Sequence, residues 1–236
     1  MQSSLLASTL VLSLAACGGS DLDPGSGDDP GTGTSTLMVD GSVSANSRLS
    51  NARTAGEFDT EFSVRIQLNG QNVTQGTVTM TSSSGTVVLA YNQDNNGRWR
   101  GNGAGYDEVY ILDVDSGLDY VHDVRVDGPT IHTFSEPLAG ATVDATLPLM
   151  VKWNEKNADS AAIDAENIDR ISIADTGTYS VSAGALKSEK DKARENQIRL
   201  TRTNRVTPKG ATGGSELSVS VENEITVVAM PNPNAP

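Results

Sequence analysis

The sequence predicts an all-β protein, two tandem antiparallel β-sandwich domains behind a disordered linker. Three observations carry that expectation. After residue 36 apolar and polar residues alternate with a period of two, the mark of strands that bury one face and wet the other. Gly, Pro, Asn and Asp break the alternation at short intervals, as turns between short strands do. Few segments carry a helical period, which leaves sheet on sheet as the way to bury the apolar faces.

The clearest element runs from Phe58 to Leu68: Phe62, Val64, Ile66 and Leu68 are apolar, while Glu61, Ser63, Arg65 and Gln67 between them are polar. Asn69-Gly70 follows as a turn in which positive φ is cheap, and Val78, Met80, Val87, Leu89 and Tyr91 continue the pattern. Leu118, Tyr120, Val124 and Val126 line up against Asp119, Asp123, Arg125 and Asp127, which puts His122 on the apolar face as a hydrogen-bonded core residue. Gly128-Pro129 punctuates the chain, so the first domain is expected over residues 37–128 and the second over 129–230, with a disordered tail at 231–236. In the second domain Leu149, Val151 and Trp153 point inward. Ile171 and Ile173, Tyr179 and Val181, Ile198 and Leu200, and Leu217, Val219 and Val221 repeat the alternation, followed by an apolar run at 225–228. The charged segments 158–169 and 186–196 read as solvated connections with room for a helical turn or two. Trp99 and Trp153 are expected in the cores.

The N-terminal residues have a different character. Residues 5–16 form an apolar stretch broken by Ser8, Thr9 and Ser13, too short to span a bilayer and of the length of a secretory signal core. It ends in Leu14-Ala15-Ala16-Cys17, which resembles the lipobox of bacterial lipoproteins. That resemblance implies removal of residues 1–16 and acylation of Cys17. The segment before the apolar stretch carries no Lys or Arg, unlike most export signals. Gly18 rather than an aspartate follows the cysteine, so by the same resemblance the destination is the outer membrane, the lipid anchor making the membrane the first partner. Residues 18–36 hold six glycines, four aspartates, two prolines and a single apolar side chain, Leu22, and are expected to form a disordered spacer.

Two further resemblances concern the folded part. Gly70-Gln71-Asn72-Val73, Gly97-Arg98-Trp99 and Tyr110-Ile111-Leu112-Asp113-Val114 look like the small Ig-like or carboxypeptidase-regulatory-like modules of bacterial surface proteins. Leu149-Met150-Val151-Lys152-Trp153 is similar to the tryptophan-bearing early strand of fibronectin type III domains. Asp175-Thr176-Gly177-Thr178-Tyr179 resembles the turn and tyrosine before the last strands of immunoglobulin domains. The cysteine expected two residues after that tyrosine is Val181, so only the sandwich architecture carries over.

Composition narrows the chemistry. Seventeen basic against 30 acidic residues, a formal net charge of -13, repel nucleic-acid phosphates, so no nucleic-acid partner is expected. One cysteine excludes an internal disulfide framework and two histidines leave little for a His-rich metal site. No Gly-x-Ser-x-Gly elbow occurs, and Gly101-Asn102-Gly103-Ala104-Gly105 lacks the lysine and the strand-to-helix setting of a phosphate loop. The one cofactor worth considering is a structural calcium ion. Asn92, Asp94 and Asn96 followed by Gly97 supply oxygens at alternate positions, and Asp113, Asp115 and Asp119 belong to an acidic run that folding would have to bring to that turn. The same residues read equally as a hairpin turn and a solvated acidic face.

These readings lead to a lipid-anchored cell-envelope protein, not an enzyme, with a binding or structural role toward a protein or polysaccharide partner. The alternative is a carbohydrate-binding or accessory module of an envelope enzyme or transport system, which needs an exposed aromatic strip from Trp99, Tyr106 and Tyr110. A hydrolase would need His122 or His132 beside a carboxylate and a nucleophile in a cleft.

Overall fold

The computed structural model describes residues 30–94 and 96–235; residues 1–16, Cys17 and most of the spacer lie outside the described residues. In chain order the strands are β1 (Thr32–Gly33), β2 (Leu37–Ser47), β3 (Phe58–Leu68), β4 (Gln71–Asn72), β5 (Thr77–Ser82), β6 (Gly85–Val88), β7 (Ala90–Asn92), β8 (Arg98–Ala104) and β9 (Val109–Ser116). They continue as β10 (Asp119–Asp127), β11 (Phe134–Glu136), β12 (Thr142–Val143), β13 (Leu149–Trp153), β14 (Ser160–Ala165), β15 (Ile168–Ile173), β16 (Thr178–Val181), β17 (Arg194–Val206) and β18 (Glu216–Ala229). One 3-10 turn, Ala55–Glu57, is the only helical element among the described residues. The protein is all-β, as its alternation predicts.

Three sheets enclose two cores. The large sheet has ten strands, in the order β15-β14-β17-β18-β2-β3-β8-β7, with β12 beside β18 and β4 beside β3. A five-stranded sheet, β1-β10-β9-β5-β6, covers one half of it, and a three-stranded sheet, β11-β13-β16, covers the other. Pairing is antiparallel except where β18 runs parallel to β2 and β12 parallel to β18. The first core holds Val43, Phe58, Phe62, Val64, Trp99, Tyr110 and Leu112; the second holds Phe134, Val151, Trp153, Ile163, Ile198 and Leu200. Both tryptophans are buried, each with its indole N–H satisfied: Trp99 donates to the Val73 carbonyl and Trp153 to Asp175.

The two cores share their last strand. Leu217, Val219 and Val221 of β18 belong to the first core, Ile225, Val227 and Ala229 to the second. All are odd-numbered and so lie on one face, because a strand alternates faces at every residue. At about 3.3 Å per residue the 14 residues of β18 extend about 45 Å, the length of both cores together. Residues 37–128 therefore do not close the first core by themselves; its central strand β2 pairs with β18 from Asp40 to Asn46.

Local readings change in four places. Residues 30–36, which composition assigns to the spacer, join the fold, with β1 paired to β10. In β10 an extra residue sits between Val121 and Val124, with Asp123 in the left-handed region at φ 55°. This bulge reverses the faces on either side of it. Val121 is buried, while Leu118, Tyr120 and His122 turn outward, so His122 is not in the core. Segment 158–169 holds β14 and the start of β15 instead of a helical turn, because Ala161 and Ile163 fill the second core while Asp159, Glu166 and Asp169 on either side of them are exposed. The tail packs back, with Asn232 N–H donating to the Glu189 carbonyl and Ala235 buried.

A fragment of residues 30–128 should accordingly fail to fold alone, since it lacks the strand beside β2 and three core side chains. Far-UV circular dichroism and a urea titration check this: the expected result is no cooperative transition, and a sigmoidal one would show that β18 is dispensable to the first core.

Candidate functional site

The structure places the sequence-derived calcium residues on two different sheets. Asn92 ends β7 and Asp94 and Asn96 lie in the β7–β8 turn of the large sheet, where the Asn92 side chain accepts a bond from the Asp94 N–H at 2.9 Å. Asp113, Asp115 and Asp119 lie on β9 and β10 of the five-stranded sheet and have local partners: the Asp123 N–H donates to Asp113, Asp115 pairs with His122 Nε2 at 3.0 Å, and Thr36 donates to Asp119. Among the described residues no group of three or more His, Cys, Asp or Glu side chains is disposed to hold a metal ion. Cys17 lies outside the described residues. Trp99, Tyr106 and Tyr110, the rings a carbohydrate platform would expose, are all in the first core.

The densest polar constellation sits between the cores, and sequence reasoning missed it. Arg202 of β17 is buried where the apolar row Ile198, Leu200 would continue, with its side chain 2% exposed and that of Asp175 3%. Its Nε and Nη2 both lie 2.9 Å from one Asp175 oxygen, and Nη1 donates to the Thr130 carbonyl at 2.8 Å. Asp175 also accepts from the Trp153 indole and the Ala158 N–H. Burial pushes the Asp175 carboxyl up, but these donors together outweigh it and hold it below the usual range. One row over, Asn223 of β18 accepts from the Ala52 N–H and donates to the carbonyls of Ala52 and His132. Its amide thus ties the β2–β3 connection to the segment that leads into the second core.

His132 completes this seam and is fully buried. Among the described residues neither ring nitrogen meets a partner in hydrogen-bond geometry. Burial first, and the nearby Arg202 guanidinium second, depress it from 6.5 to about 3; Asp175 and the Leu200 backbone oppose this and lose. The imidazole is neutral and enclosed, and it packs against Phe134, 5.9 Å away edge to face. The sequence signal that could have found the seam is a charge that follows Ile198 and Leu200 on one inward row and an amide between Val221 and Ile225 on the other.

A surface recess lies at the open side of the first sandwich, a cavity of about 290 Å³ bordered by Thr60, Phe62, Thr86, Asn102, Asp107 and Tyr110. Asp107 accepts from the Ser83 hydroxyl and the Ser84 N–H; burial raises it, but the serine donors win and hold it ionised. Among the described residues no imidazole, thiol or ammonium borders this recess; its hydroxyls, the Asn102 amide and the Asp107 carboxylate offer hydrogen-bonding groups.

Two outcomes are expected of the seam. Arg202→Met strands the Asp175 carboxylate in the interior and should cost about 3 to 5 kcal/mol, read from the urea midpoint. For His132, whose folded value lies below its unfolded one, stability is present above pH 6.5 and is lost as pH falls toward 3. Within that window wild type should lose about 1.4 kcal/mol per pH unit relative to His132→Leu, because the unfolded imidazole takes a proton the folded one refuses. Parallel pH curves for the two proteins would remove His132 as the cause.

No protein-family model matches the chain, and no curated protein matches it well enough to count as a relative.

Proposed function

We propose that the protein is a lipid-anchored component of the cell envelope, held in the outer membrane through Cys17, whose role is binding or structural and not enzymatic. The observation that carries this reading is how the end of the spacer is fastened. The Lys209 N–H donates to the Pro30 carbonyl, Thr34 N–H to the Tyr120 carbonyl and Ser35 N–H to the Gly210 carbonyl. A side chain at Gly210, itself at φ 76°, would meet the Gly33 nitrogen at 2.0 Å, so the two backbones touch. Residues 30–36 are thus sewn between β10 and the 207–212 loop, which suits a segment that carries tension from an anchor into a folded body. From there β17 and β18 extend without a break into the second core, so the fastened segment 30–36 and the second sandwich belong to one body. A display role toward a protein or polysaccharide partner makes use of this: the tether pulls on the first sandwich through residues 30–36, and the shared strands fix the second relative to it.

Replacing Cys17 by serine should release the protein from the membrane to the soluble fraction, while mass spectrometry of the wild type shows a diacylglyceryl group on residue 17. Membrane retention of the variant together with an unmodified wild-type cysteine would overturn the reading.

A further inference from the structure

We infer that a recess at the end of the second sandwich binds the carboxylate-bearing sugars of an acidic polysaccharide; this rests on the reading of a binding role toward a polysaccharide and names its chemical class. The recess lies at the end remote from the seam, where β17 begins and the chain leaves β18, and its volume is about 490 Å³, within the range of small-ligand sites. Lys187 and Arg194 border it, and among the described residues no carboxylate does. In a chain of net charge -13 such a lining stands out, and residues 187–194 as a whole carry four cations against two acids. The acids that pair with the two cations lie outside the lining. Glu189 accepts from Arg194 Nη1 at 2.8 Å and Glu166 from Lys187 Nζ at 3.2 Å, so each takes one donor and leaves others. Asp144, beside the lining, is taken up by the N–H and the hydroxyl of Thr146. The buried Nε of Arg194 has no hydrogen-bond partner among the described residues. An orphan donor of this kind is uncommon and marks an acceptor that the chain itself does not supply. A carboxylate is the group that meets a guanidinium edge with two parallel bonds.

A buried amide positions both cations. Asn196 accepts from the Lys187 N–H at 2.7 Å and donates to the carbonyls of Lys187 and Arg194, so the two residues hang from one fixed group. The other walls are tied in the same way. Gly184 N–H donates to the Ala145 carbonyl, Asn167 N–H to the Ala185 carbonyl, and the Asn232 side chain to the Ser188 hydroxyl. Walls held by such bonds need little ordering when a ligand enters, so less of the binding energy is lost. The polar groups of Asn167, Asn232 and Ser188 surround the charges, while the apolar residues of the lining, Ala145, Leu186 and Ala235, are buried. Directional donors and acceptors around a pair of cations match a ring that carries hydroxyls beside its carboxylate, and they offer an acidic peptide no apolar pocket for its other side chains. Among the described residues no aromatic ring borders the recess, so charge and hydrogen bonds hold the sugar in place of stacking.

The test titrates the full chain, purified from membranes in detergent, with short oligomers of galacturonate, mannuronate and glucuronate by calorimetry. The controls are the methyl ester of the galacturonate oligomer, which keeps the ring and removes the charge, a hexaglutamate peptide, and inorganic phosphate. The expected result is binding of at least one oligouronate and of none of the controls. Arg194→Gln and Lys187→Gln should each weaken that binding by roughly tenfold or more, the size of a lost charge-assisted hydrogen bond. Lys190→Gln makes the same charge change outside the recess and should keep the affinity within about twofold, since water and salt screen an exposed charge. Urea midpoints check that the variants fold, and either folded recess variant suffices. No binding of any oligouronate, equal binding of the ester, the peptide or phosphate, or an equal loss in Lys190→Gln overturns the inference alone. Shortened oligomers after incubation overturn the non-enzymatic reading, and an intact mass without acyl groups overturns the anchor reading; both are scored apart from the affinity of the recess.

Discussion

A single strand face serves two cores, and the rest of the molecule is arranged around that constraint. Along β18 the inward row runs Leu217, Val219, Val221, Asn223, Ile225, Val227, Ala229, apolar at every place but one. The exception falls where the row leaves one core for the next. On β17 the inward row Ile198, Leu200 pairs with Ile225 and Asn223 and at the next inward place becomes Arg202, across from Val221. Two covering sheets of different width meet above this level, and an apolar side chain there would have to seal a junction lined by backbone carbonyls. Arg202 and Asn223 instead donate to those carbonyls, so the backbone of Thr130, His132 and Ala52 is satisfied without water.

Such a seam does more for geometry than for net stability. A buried ion pair regains little more than it loses in desolvation, and packed apolar residues of the same volume often do as well. Directional bonds differ from apolar contact in fixing an orientation. Arg202 holds the connection after β10 through Thr130 and the connection after β15 through Asp175, while Asp175 reaches the Trp153 indole of the three-stranded sheet. Sliding of that sheet over the large one would break several bonds at once, with no water available to replace them. His132 is the expense in this arrangement, a neutral ring kept without partners in a site where protonation is opposed by the guanidinium beside it.

Much of the fold was legible because period-two alternation depends only on there being an inside and an outside. β3 follows its pattern residue for residue, Phe62, Val64 and Ile66 being buried. The same signal is blind to which sheet or core receives the buried face, so β18 reads as a strand but not as a shared one. Its parallel partner β2 cannot be inferred from residues so far apart. In β10 the apolar residues Leu118, Tyr120, Val124 and Val126 share one parity, and the residue that Asp123 inserts leaves no mark on that pattern although it turns the first two outward. Residues 30–36 read as spacer because glycine and threonine serve equally for an unstructured chain and for backbones in close contact. The acidic residues were visible individually, yet their distribution over two sheets was not, and a ligand set exists only when folding brings its members together. Asp175 and Arg202 lie 27 residues apart and form a pair no local pattern announces.

The parallel join between β2 and β18 also sets the order in which the molecule can be finished. The bonded residues are 177 positions apart, Ser218 with Gly41 and Ser220 with Val43. A chain that is synthesised, or threaded through a channel, from its N-terminus forms β2 and β3 early and then waits for almost the whole remaining length before β2 gains its second neighbour. Such long-range closure is slow, and through that interval one edge of β2 presents unpaired N–H and C=O groups to any other strand it meets. Early sheet is therefore adhesive sheet, and crowded nascent chains of this protein compete with their own last strand for the same edge.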